Sequence, residues 1–183
     1  MSKVVVNRSM SLDGFIACTG HAMDWGGGGR SLADFIAPED LAEIAAATGS
    51  MLVGRRTWEV GARMEAEDPG RTDYPFAGPI FLLSHRPLDP SVPGVTILSG
   101  DIGAAVATAL DAAGGKNLEI LGADAAGQAL GRGLVDEILV YVLPVLLGDG
   151  IRFSAPGLGR VDLVPVSSTR SRDATVLRFR VQK

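Results

Sequence analysis

Three apolar runs in the sequence end in polar, turn-forming residues of types that could hold an anion. In LVGRRTWE (52–59), Gly54 lets the chain turn, and Arg55, Arg56 and Thr57 follow at what reads as a helix start. Free N–H groups, the positive end of a helix dipole, two guanidinium groups and a hydroxyl then meet at one point, a setting suited to a phosphate. Two solvated arginines on a helix start are the alternative. In FLLSHRP (81–87), Ser84, His85 and Arg86 follow a second run, and Pro87 ends it. Alone this is an ordinary polar loop. Beside Arg55 and Arg56 on a neighbouring strand end, it could clasp a dianion such as a ribose 2′-phosphate. In EILGADAAGQAL (119–130), Gly122 follows a third run and small residues open the next helix, a weak match to a phosphate-binding helix start.

A fourth stretch, MDWGGGGRSLADF (23–35), holds four consecutive glycines at 26–29. The spacing argues against a nucleotide loop. No Lys-Ser or Lys-Thr follows, and the preceding ACTGHAMDW is neither alternating nor continuously apolar. A linker and a mobile lid are the readings left.

Composition narrows the possible roles. A chain of 183 residues, 46% hydrophobic and 21% charged, is expected to form one globular domain with a sizeable core. Its net charge is −4 and it has no Lys/Arg-rich run, which excludes nucleic-acid binding as a main role. One cysteine, Cys18, allows no internal disulfide framework and fits a reducing cytoplasm. It reads as an inert thiol, because no histidine with triad context is visible. The opening MSKVVVNRSMSLDG has no signal-peptide pattern. The longest apolar run, ILVYVLPVLL (138–147), is about half of what a bilayer demands. His21 and His85 have no ligand-spaced partners, so no metal is expected.

Those stretches need elements to position them. Residues 3–12 begin with β-branched residues and read as a buried first strand. PEDLAEIAAATG reads as a helix with Pro38 in its first turn, Glu39 and Asp40 at its positive end and Gly49 as its stop. Strands are expected at SMLVG, IFLLS, VTILSG and NLEILG, and a short helix at RRTWEVGARM. DIGAAVATALDAAGG is a helix capped by Asp101, and ADAAGQALGRG is another. VDEILVYVLPVLLG reads as one long strand carrying Pro144, entered through a solvated Asp136 and Glu137. VDLVPVSSTR and ATVLRFRVQK look like a closing hairpin around 171–173. Alternating strands and helices imply an α/β domain with a mostly parallel mixed sheet and an antiparallel hairpin at one edge. Ligands of such sheets bind outside the carboxyl ends of the strands, where the three junctions lie.

The set MDW…DF, LVGRRTWE, LLS and ILGADAAGQAL resembles dihydrofolate reductase along most of the chain. SLDGFIA, LVGRRTWE, LVDEI and PVLLGDG are more closely similar to the reductase domain of the bifunctional riboflavin-biosynthesis deaminase/reductase and its stand-alone relatives. The ordered motifs span roughly residues 4–153. The zinc deaminase signature is absent.

The resemblance implies a three-layer dihydrofolate reductase-like fold and NADPH as cofactor. By position, Ser9, Ile16 and Ala17 would line the nicotinamide side. Gly54, Arg55, Arg56 and Thr57 would hold the adenosine half and pyrophosphate, and Ser84, His85 and Arg86 would border the 2′-phosphate. Gly122, Ala123, Asp124 and Ala125 would form the turn under the pyrophosphate. Dihydrofolate reductases carry consecutive glycines at this turn, whereas Asp124 places a negative charge near the phosphates. The glycine run falls in the region of the loop that closes over nicotinamide and substrate, which favours the lid.

Dihydrofolate reductases also keep a carboxylate on the helix after the tryptophan loop. With a four-residue insertion this selects Asp34 as the acid, the alternative being a helix-start charge. Asp13 reads as a group that fixes its loop. The expected activity is hydride transfer from NADPH to a small pterin-like, ribosylamino-pyrimidine or related C=N/C=O substrate. A nucleotide-binding protein without turnover is the alternative. The apolar run at 138–147 and the PVLLGDG resemblance lead us to expect a homodimer.

Overall fold

In the computed structural model, residues 2–18, 30–67, 74–86 and 94–183 are described. The glycine run at 26–29, with Trp25 and His21, lies outside the described residues, and so does Pro87.

The centre of the molecule is an eight-stranded sheet. Strand β1 (Val4–Ser11) lies between β6 (Asn117–Leu121) and β7 (Glu137–Leu143), parallel to both. Beyond β6 come β3 (Thr48–Gly54), β4 (Ile80–Leu83) and β5 (Val95–Leu98), all parallel. On the other side β10 (Ala174–Val181) runs antiparallel to β7, and β9 (Leu163–Ser171) closes that edge against β10. The order is therefore β5-β4-β3-β6-β1-β7-β10-β9. This is the mixed α/β sheet and terminal hairpin of the dihydrofolate reductase-like fold.

Helices cover both faces. α3 (Ile102–Asp111) and α4 (Ala123–Gly131) bury Val106, Ala109, Ala126 and Ala129 against Val4, Val6, Leu52 and Ile120. Alanine-rich faces let these helices approach the strands closely. Asp101 caps α3 as expected, accepting from the N–H groups of Gly103 (2.7 Å) and Ala104 (3.3 Å). On the opposite face a 3₁₀ turn (Leu32–Asp34), the segment Phe35–Ile36 and α1 (Pro38–Ala47) pack on Leu139, Tyr141 and Leu143.

Several expectations need correction. β7 stops at Leu143, and Pro144 lies outside it. With no N–H to give, Pro144 ends the ladder, and the Val145 N–H turns back onto the Leu143 carbonyl at 2.8 Å. β7 is an interior strand, third from the edge. α1 ends at Ala47 and β3 follows directly from Thr48, so Gly49 is not the helix stop. Gly49 answers a close approach instead: a Cβ there would sit 2.0 Å from the backbone oxygen of Ala113. The helix after Gly54 is longer than expected, α2 spanning Arg55–Glu67. A small sheet of β2 (Phe15–Ala17) and β8 (Ile151–Arg152) has no counterpart in the sequence reading. Glu137 is not a solvated strand entrance. It is buried between Lys3 (2.5 Å) and Arg178 (3.5 Å), while Asp136 pairs with Lys183 and accepts the Val4 N–H.

Candidate functional site

The carboxyl ends of β3, β4, β6 and β1 open into one cleft of about 1450 Å³. The chain reverses there because each strand end meets a turn or helix start. Gly122 leaves β6 with φ +100°, and a Cβ on it would meet Thr57 Oγ1 at 2.8 Å. Only glycine lets the start of α2 approach the start of α4 so closely. The two helix N-termini therefore face the same space, a setting that favours negative charge.

Arg55 organises one end of the cleft. Its Nε donates to Glu59 at 2.7 Å, one turn on, and its Nη1 donates to Ser84 Oγ (3.2 Å) and to the Arg86 carbonyl (3.3 Å). Ser84 Oγ in turn donates to the Arg86 carbonyl and accepts the Arg86 N–H. The loop after β4 is thus folded around a buried serine, with His85, Arg86 and Arg56 exposed at its rim. Asp124, second in α4, is exposed and accepts from Gln128 Nε2 at 2.8 Å.

Every residue given a cofactor role from the sequence lines this cleft: Ser9, Ile16 and Ala17, Gly54, Arg55, Arg56 and Thr57, Ser84, His85 and Arg86, and Gly122, Ala123, Asp124 and Ala125. Asp34 is not among the lining residues. It closes the 3₁₀ turn at the surface, where its carboxylate accepts the Ser31 N–H at 2.7 Å. Asp13 fixes its loop: the carboxylate accepts from Ser11 Oγ (2.6 Å) and from the N–H groups of Leu147 (3.1 Å) and Gly148 (2.7 Å). Those bonds, with Ser11 first, hold it down to about 2 and tie SLDG to PVLLGDG.

The sequence reading missed the floor of the cleft. Arg8 and Glu119, 8% and 3% exposed, line it with Asn7, Tyr74 and Tyr141. Arg8 Nη2 donates to the Gly122 carbonyl at 2.8 Å, while its Nε has no hydrogen-bond partner among the described residues. Burial pushes the guanidinium down to about 10 against the opposing charge of Glu119. Burial also raises the Glu119 carboxyl, although Tyr74, Thr48 and Asn7 donate to it. Tyr74 Oη donates to Glu119 Oε2 at 2.6 Å and lies well above the usual phenol range, chiefly through its own burial. Tyr141 is pushed up to about 12 by burial and then by Asp40. The signal was available: a charged residue inside an apolar strand, as in VVVNRSM and NLEIL, is held by something specific.

The sequence matches the RibD C-terminal domain family over residues 2–177. The chain belongs to that family. Among solved structures, it is similar to a Shewanella sp. PV-4 protein assigned by name to riboflavin biosynthesis. Identity is 21%, 99% of each chain is covered and the TM-score is 0.79. Acinetobacter baumannii RibD is 16% identical with a TM-score of 0.66, and the match covers all of this chain but 59% of that one. Enterococcus faecalis dihydrofolate reductase, in complex with NADP(H) and RAB-propyl, is 13% identical, with 99% and 97% coverage and a TM-score of 0.60. At these identities the likenesses are of fold. No curated protein matches the sequence. Among the described residues, no helix is long and apolar enough to cross a membrane, and no group of three or more His, Cys, Asp or Glu could hold a metal ion.

Proposed function

We propose that this member of the RibD C-terminal domain family is an NADPH-dependent reductase acting on a small pterin-like, ribosylamino-pyrimidine or related C=N/C=O substrate. One observation carries the reading: Arg55, the Ser84–Arg86 loop and the N-terminus of α4 converge on one cleft. The donor set fits the cofactor's chemistry. Arg55 and the rim guanidinium groups of Arg56 and Arg86 suit the 2′-phosphate. The Gly122 turn leaves the free N–H groups of α4 open to a pyrophosphate. Ser9, Ile16 and Ala17 leave small and apolar side chains for a nicotinamide. When bound, NADPH supplies the hydride; the protein binds it, aims it and excludes water. The single cysteine, Cys18, suits an enzyme of a reducing cytoplasm.

A second reading, a nucleotide-binding protein without turnover, is favoured by the negative charge of Asp124 at the start of α4 and by Asp34 lying outside the cleft lining. Two measurements separate them. NADPH titrated into the chain should bind at micromolar concentrations, and its oxidation should follow with at least one member of a panel of dihydropterins and ribosylamino-pyrimidines. Binding without oxidation across the panel supports the second reading; no binding removes both.

A further inference from the structure

Hydride transfer to C=O or C=N leaves an electron pair on oxygen or nitrogen that must receive a proton. The acid selected from sequence, Asp34, is not among the cleft-lining residues. Among the described residues, three carboxyl groups do line it. Glu59 is engaged by Arg55, and Asp124 is exposed and engaged by Gln128. Glu119 differs from both. It sits mid-strand at the centre of the sheet, paired in register with Val5 of β1 and Met51 of β3. It is 3% exposed, and no ion pair among the described residues holds it. Its Oε2 meets Tyr74 Oη at 2.6 Å and Thr48 Oγ1 at 3.3 Å. Tyr74 is only half-buried and lines the cleft beside Leu41 and Tyr141. The pair therefore runs from the dry middle of the sheet to the open space.

We propose that Tyr74 is the catalytic proton donor of this site and that Glu119 is the positioning residue that holds and reloads it. The inference rests on the reductase reading above. As hydride from the reduced nicotinamide forms a C–H bond, the π pair of the substrate C=O or C=N moves to its heteroatom. The Tyr74 O–H, which donates to Glu119 Oε2 in this structure, turns to that atom and gives up its proton, and the Glu119 O–H proton passes to the Tyr74 oxygen. The carboxylate left behind takes a proton from water when the product leaves. The relay requires Glu119 to be protonated at rest, which its burial favours. Among the described residues, the titratable and charged groups facing it are Tyr74, Tyr141 and Arg8. Only Arg8 is charged, and its pull towards ionisation is outweighed by desolvation.

A purely structural pair would only anchor the Tyr74 segment to the sheet, so the test needs readouts beyond folding. Glu119→Gln and Tyr74→Phe keep shape and size. On the reductase reading, each should lower kcat about 100-fold, the scale of a lost general acid, with KM changed less than about threefold. Wild-type kcat should fall as pH rises through the Glu119 titration, and this limb should vanish in Glu119→Gln. Independently of activity, the infrared spectrum of the ligand-free chain at neutral pH should carry a protonated-carboxyl C=O band that Glu119→Gln removes. Wild-type kcat and pH profile in folded Glu119→Gln, or no such band, overturn the inference while leaving the reductase reading intact. A variant that fails to fold transfers the kinetic test to Tyr74→Phe, where unchanged kcat overturns it. A wild-type chain that neither binds nor oxidises NADPH overturns the reading beneath it.

Discussion

Arg55 is the side chain most fully committed to the cleft, and its partners define a test of cofactor choice. It is pre-oriented by Glu59 and Ser84, so little ordering remains when an anion arrives. Arg55→Ala should weaken NADPH at least tenfold more than NADH, about 1.4 kcal/mol of discrimination, in parallel fluorescence titrations. Equal losses for both would show that Arg55 does not face the 2′-phosphate. Asp13 makes a different prediction. Its carboxyl is held at about 2, below the usual 3.8, by Ser11 and the loop N–H groups. A depressed value stabilises the fold above the ordinary carboxylate range, and that contribution is lost as pH falls from 3.8 towards 2. Asp13→Asn should lower the melting temperature at neutral pH and show a smaller further drop across that acid interval. Parallel melting curves of the two proteins over pH would expose a role outside the clamp if the gap stayed constant.

At the level of elements, the two core faces are joined through the terminal hairpin. Ser171, at the end of β9, is 3% exposed; its hydroxyl accepts the Ala37 N–H at 2.9 Å and donates to Asp40. Ala37 precedes α1 and has no side-chain cap of its own, so a residue at the end of β9 does that work. Ser171→Ala would leave a buried N–H and a carboxylate without their partner. Urea unfolding should show a loss of about 1–3 kcal/mol. A change below about 0.5 kcal/mol would mean that water replaces the hydroxyl there. The same hairpin turns through Arg172 at φ +47°, a left-handed residue the sequence does not advertise with glycine or asparagine.

For the whole molecule, we propose a two-fold symmetric homodimer with the 143–150 segment in the contact. The structure alters the reason. β7 is interior and covered, but the loops beyond β1 and β7 expose Leu12 (67%) and Leu146 (72%), and the Leu12 N–H binds the Val145 carbonyl at 2.9 Å. Two adjacent exposed leucines are a surface that a second copy could cover. Val145 packs on the core, so a charge there would test folding; Leu146→Glu tests assembly. Light scattering at micromolar concentration should give a dimer mass for the wild type and a monomer mass for a folded Leu146→Glu. A wild-type monomer would end the proposal.

Much of this was legible in the sequence, for local reasons. Apolar runs ending in glycine, a proline and two acids at the start of α1 and an aspartate before α3 fix elements through interactions within a few residues. The motif order fixed the family and the strand ends that meet. Tertiary structure alone decided the rest, because it depends on residues far apart in the chain. Pro144 was read as part of a strand because its neighbours are apolar; the ladder to β1 and β10 decides where β7 stops. Gly49 looked like a helix stop until Ala113 came within reach of it. Glu119 reads as the one charged residue in a strand of five, and its meaning comes from Tyr74, 45 positions away in sequence and 2.6 Å away in space. Burial, unlike periodicity, is a property of the assembled sheet. It is burial that raises the Glu119 carboxyl, leaves the Nε of Arg8 without a partner among the described residues and turns an ordinary strand into the floor of a site.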